Sequence, residues 1–126
     1  MRFLSAALLI AILGAACTSI RLALPTDPAW RDPTGCRGVG LDGVLRSSIS
    51  DPHLFWMEDR VTGQRVELIW PAGYYARDDV GLEVVDGSNT FVGKDGDLVT
   101  GACVVSFLGN TGPPLHVSAG ELEQAP

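Results

Sequence analysis

The sequence predicts an all-β domain. Three observations carry the prediction: short runs with a two-residue period, turn chemistry between successive runs, and no sustained 3.6-residue period beyond the first twenty residues. The 15 glycines and 8 prolines supply the chain breaks that many short strands need. A length of 126 residues fits one domain.

The N-terminus has the order of a cleaved secretory signal over residues 1–16. Arg2 gives the positive start, Phe3 to Leu13 the apolar core, and Gly14-Ala15-Ala16 the small residues at the cut. A retained transmembrane segment is the rival, because the uncharged run from Phe3 to Ile20 covers 18 residues. Gly14, Thr18 and Ser19 make its second half polar for a span. Leu13 to Cys17, LGAAC, resembles the lipobox of bacterial lipoproteins, whose cysteine receives lipid and becomes the mature N-terminus. Gly14 stands where that family carries a large aliphatic residue, and Leu13 lies one place earlier. The resemblance implies lipid attachment at Cys17; a signal peptidase cutting after Gly14-x-Ala16 would leave Cys17 unmodified. Cysteine arithmetic agrees with the lipid: one anchor leaves Cys36 and Cys103 to pair as a disulfide in an oxidising compartment. Two separate buried thiols are the alternative.

Residues 17–35, with Pro25, Pro28 and Pro33, read as a tether, or else as an ordered arm pinned by Trp30. The folded unit is expected over 36–119, followed by an acidic, frayed tail at 120–126. Gly38 to Ser48 is a first strand with a bulge at Gly43, and His53 to Met57 a second. Asp59 to Gly63 turns the chain into Arg65–Trp70, where Val66, Leu68 and Trp70 share one side of the pleat. Pro71 stops that ladder. Tyr75 to Val80 holds the single helical candidate, one turn long. Leu82–Val85 and Thr90–Val92 flank Asp86-Gly87-Ser88-Asn89, a hairpin turn. Gly93 to Asp97 makes another turn before Leu98–Val105, and Leu115–Ser118 adds a last short strand. Six or seven short strands in this order point to a small antiparallel β-barrel of the OB-like type, with a small β-sandwich as the alternative. A Cys36–Cys103 bond would close 68 residues and tie the first strand to one of the last.

The chemistry of the sequence is sparse. Loss of Arg2 with the signal leaves 8 basic and 15 acidic residues, a net charge of −7 that repels phosphate backbones and argues against nucleic acid. His53 and His116 lack metal-ligand spacing, and no metal or other cofactor is expected. Asp78-Asp79 and Asp95-Gly96-Asp97 offer too few oxygens for calcium and read as solvated turns. Ser50-Asp51-Pro52-His53 sets triad residue types side by side, whereas a triad converges from separate segments. Tyr74 and Tyr75, in a loop after Pro71-Ala72-Gly73, either form a face that stacks a sugar or grips a peptide, or fold inward and plug the barrel mouth.

Gln64 to Cys103 resembles a module of small secreted or lipid-anchored bacterial proteins. The shared features are Trp70-Pro71-Ala72-Gly73-Tyr74, Val85-Asp86-Gly87, Gly96-Asp97 before the final strand, and, more loosely, Leu41 to Leu45 and Gly63. The resemblance implies a barrel and an envelope location, and it carries no activity or catalytic residue. The expected protein is therefore a non-enzymatic, extracytoplasmic module anchored to a bacterial membrane, binding an envelope protein, peptide or glycan or serving as structure. A small hydrolase near Asp51 and His53 is the alternative.

Overall fold

The computed structural model describes residues 20–28, 40–103, 115–117 and 119–125. The signal segment, Cys17, Cys36, Trp30 and the expected strand extension beyond Cys103 lie outside the described residues. So does the side chain of Cys103.

The all-β expectation holds. A four-stranded antiparallel sheet has the order β1-β7-β8-β9, from β1 (Ile20–Ala23), β7 (Tyr75–Asp78), β8 (Leu82–Val85) and β9 (Phe91–Lys94). The second sheet contains β2 (Thr26–Asp27), β3 (Gly40–Ser47), β4 (Phe55–Asp59), β5 (Arg65–Val66) and β6 (Leu68–Pro71). It is completed by β10 (Leu98–Cys103), β11 (Leu115–His116) and β12 (Leu122–Glu123). Its order is β2-β6-β11-β10-β3-β4-β5, with β12 also on β10.

The sheets do not close into a barrel, so the sandwich-like alternative fits and the OB-like form does not. The eight-stranded sheet has β5 at one end and β6 near the other, and the chain joins them through Glu67. Among the described residues, no ladder seals that seam. The pairing is also not wholly antiparallel, since β6 runs parallel to both β2 and β11. Parallel neighbours reach β6 because each arrives by a long connection rather than a hairpin.

The inward side of the Arg65–Trp70 alternation is the core. Trp70 is fully buried, edge-on to Phe55 at 6.3 Å and stacked on Tyr74 at 6.2 Å. Leu45, Met57, Leu68, Val84, Val99 and Leu115 pack around them. Each such fully buried side chain contributes roughly 1.5–3 kcal/mol by leaving water.

Several boundaries differ from expectation. Over residues 20–27 the expected 17–35 tether is instead ordered: β1 pairs with β7 along all four residues, Leu24 is buried, and the Trp70 backbone N–H donates to the Pro25 carbonyl at 2.9 Å. The tail at 120–126 is also fastened, with Leu98 and Val99 opposite Glu123 and Leu122. Both segments supply strands that would otherwise leave β7 and β10 with open edges. The helical candidate at Tyr75 is strand β7, held between β1 and β8. The second strand starts at Phe55 rather than His53, because Leu54 takes a positive φ of 64° and reverses the chain. The bulge lies not at Gly43 but across from it, between Val99 and Ala102 of β10. A Cβ at Gly43 would collide with the Glu58 carbonyl oxygen and stand 2.5 Å from Met57 Cγ. Close packing of β4, not a bulge, is what that glycine serves.

Candidate functional site

Strand geometry places Arg65 and Glu67 on one outward face, because Val66 and Leu68 between and beyond them point into the core. The loop before β4 faces them. Asp51 caps its own loop by accepting the His53 N–H at 2.9 Å, and the Leu54 N–H donates to the Asp51 carbonyl at 3.1 Å. These local bonds present Asp51 and His53 to β5.

The centre of the cluster is the Arg65 guanidinium. It grips Asp51 with two parallel bonds, Nη1 to Oδ2 at 2.6 Å and Nη2 to Oδ1 at 3.0 Å. It also donates from Nε to Glu67 Oε1 at 2.6 Å and from Nη2 to Oε2 at 3.3 Å. The fork geometry of arginine makes this double engagement available. Beneath it the Trp56 ring lies 4.4 Å from the guanidinium carbon. His53 Nδ1 lies 2.7 Å from Glu67 Oε2, with the imidazole half-exposed.

Electrostatics follow the contacts. The Arg65 bonds, with help from the His53 N–H, hold the Asp51 carboxyl down at about 2. Arg65 likewise pulls Glu67 below its ordinary value, and the two carboxylates raise Arg65 in turn. Both acids are therefore fixed as anions at neutral pH and have no proton to give. The triad types noted in the sequence are not assembled as one. Asp51 is committed to Arg65, His53 pairs with Glu67, and the Ser50 hydroxyl bonds the Ser48 hydroxyl at 2.9 Å.

Tyr74 and Tyr75 part company. Tyr74 is 5% exposed, stacks on Trp70 and accepts the Ala119 N–H at 3.3 Å. It belongs to the core and not to a binding face, which corrects the exposed reading and fits the inward one. Tyr75, one residue on, points the other way, as a strand requires. Its ring lies 3.8 Å from the Arg21 guanidinium carbon, and its hydroxyl bonds the Asn89 side-chain oxygen.

A groove of about 480 Å³ opens elsewhere, lined by Glu83, Phe91, Lys94, Asp95, Asp97 and the tail residues Gln124 and Ala125. Asp97 is the floor, 1% exposed. Its carboxylate accepts the Lys94 N–H at 2.9 Å and the Ala125 N–H at 3.2 Å, while Asp95 accepts the Ser47 N–H at 2.8 Å. Sequence reasoning missed this groove because one wall comes from the fastened tail. The Asp95-Gly96-Asp97 turn was visible as an acidic turn, but its second carboxylate is buried, not solvated.

Among the described residues, no three or more His, Cys, Asp or Glu side chains are grouped to hold a metal ion. His116 is buried and meets Asp27 through Nε2 at 3.3 Å, clasping β11 to β2. No described helix is long and apolar enough to cross a membrane. Comparison with protein-family models, with curated proteins and with solved structures gives no match.

Proposed function

We propose that this chain is an extracytoplasmic module, anchored to a bacterial membrane through Cys17, that binds a peptide or glycan rather than transforming it. The observation that carries the binding reading is the groove beside β9 and the tail. It sets the Phe91 ring among the polar groups of Glu83, Lys94, Asp95 and Gln124. One aromatic ring set among hydrogen-bonding side chains offers a stacking face and polar partners together, which suits a sugar or a peptide. Lipid anchoring rests on LGAAC and on the cysteine count. Pairing of Cys36 with Cys103 likewise rests on the cysteine count.

The hydrolase alternative draws on the 2.7 Å pairing of His53 with Glu67, the contact a general base needs for orientation. Against it, Asp51 and Glu67 are both saturated by Arg65, and the Ser50 hydroxyl is engaged with Ser48.

The test is a screen of peptide and oligosaccharide arrays with the wild type, Phe91→Ala and His53→Ala. Binding lost in Phe91→Ala and kept in His53→Ala supports the groove. Equal binding by all three, or turnover of an ester or amide probe that His53→Ala abolishes, would overturn it.

A further inference from the structure

We infer that one end of the four-stranded sheet, formed by Ile20 at the start of β1 and by Val80 in the β7–β8 turn, rests against the headgroup layer of the bilayer that holds the anchor. The inference deepens the proposed anchoring and rests on it.

Its first support is chain length. Strand β1 is paired with β7 from its first residue, with Ile20 opposite Asp78. Cys17 lies three residues earlier, and three residues reach at most about 10 Å when fully extended. A retained apolar segment from Phe3 would end at Ile20 itself. Either form of anchor brings the bilayer surface to the same rung of the sheet. A long tether would have let the domain float free; a strand beginning at residue 20 does not.

The second support is what that rung carries. Ile20 is 67% exposed, and Val80, two residues past the Asp78 partner of Ile20, is 96% exposed. Sequence distance separates these two apolar side chains by sixty residues, yet the β1–β7 register sets them at one end of one sheet. Such placement is unfavourable in water and favourable at the apolar boundary of a headgroup layer.

Charge selects the lipid. Asp78 and Asp79 precede Val80, and the next rung inward sets Arg21 opposite Arg77, which pairs with Glu83 at 2.8 Å. A patch carrying both signs suits zwitterionic headgroups, whereas a strongly anionic surface would repel the two aspartates at the tip.

The experiment uses the full chain with its native N-terminal processing, in phosphatidylcholine vesicles. A nitroxide is attached through p-acetylphenylalanine replacing either Val80 or Val61, which spares the cysteines; Val61, 94% exposed on the β4–β5 turn, is the control. The expected result is several-fold lower accessibility to an aqueous nickel chelate at position 80 than at 61, with oxygen accessibility higher at 80. Equal nickel accessibility at the two positions, in protein whose N-terminal mass carries the lipid or retains the apolar segment, would overturn the orientation while leaving the anchoring intact. An N-terminal mass for a cut, unmodified chain would bring down the anchoring and the orientation together.

Discussion

At the scale of single residues, the geometry around Arg65 fixes a pH response. Asp51 titrates at about 2 in the folded protein against an ordinary value of 3.8, chiefly through its bonds to Arg65. A depressed folded pKa means that its contribution to stability is present above the ordinary value and is lost as pH falls from about 4 towards 2. Carboxyl-carbon NMR titration should place the Asp51 midpoint near 2, and Arg65→Gln should return it most of the way to the ordinary range. An unmoved midpoint would show that the ion pair does not form in solution. Gly43 makes a second residue-scale prediction, from sterics rather than charge. Gly43→Ala drives a methyl into the β4 backbone and the Met57 side chain, so it should destabilise by roughly 1–3 kcal/mol or more in urea unfolding. Neither effect could be read from sequence, where Gly43 suggested a bulge and Asp51 stood out only as a triad residue type beside His53.

At the scale of elements, the C-terminal tail behaves as a strand because the β9–β10 turn gives it a partner. Asp97 bonds the turn through the Lys94 N–H and the tail through the Ala125 N–H. Asp97→Ala leaves those donors facing a buried, empty position, and each such loss costs about 1–3 kcal/mol. Its urea midpoint should therefore fall clearly, with Asp97→Asn falling less because its side-chain oxygen can still accept. Truncation after Glu121 removes β12 and with it the Leu122 packing over Gly93. That variant should be destabilised by about 1–3 kcal/mol, the loss of one partly buried leucine plus two ladder rungs. It should also lose the groove wall formed by Gln124 and Ala125. Native-like stability of the truncated chain would mean that the tail contributes nothing to the fold.

For the molecule as a whole, the proposed disulfide makes a prediction. The register sets Cys103 of β10 opposite Gly40 of β3, and the proposed disulfide would join Cys103 to Cys36. A bond that closes those 68 residues would stabilise by roughly 4 kcal/mol in the chain-entropy picture, less any strain. Replacing both cysteines with serine should lower stability by a few kcal/mol and leave the β-sheet circular dichroism unchanged. Thiol titration of denatured, unreduced protein should find neither Cys36 nor Cys103 reactive; two reactive thiols would break the pairing.

The sequence by itself determined the all-β class and most of the strands. Alternation at Arg65–Trp70 and turn chemistry at Asp86–Asn89 are local signals, and the backbone obeys them: the Asp86 carboxylate accepts the Ser88 and Thr90 N–H groups, and Asn89 takes a φ of 63°. Which strands lie side by side is not a local property. The pairing of β6 with β2 and β11, the open seam at Glu67 and the burial of Tyr74 beside an outward Tyr75 depend on contacts between distant segments. The same holds for the candidate sites. Asp51, His53, Arg65 and Glu67 are separate stretches of sequence until the loop before β4 folds over β5, and the groove has no wall until residue 125 reaches Asp97. Sequence spacing encodes which face a side chain takes; only the closed tertiary structure decides what that face meets.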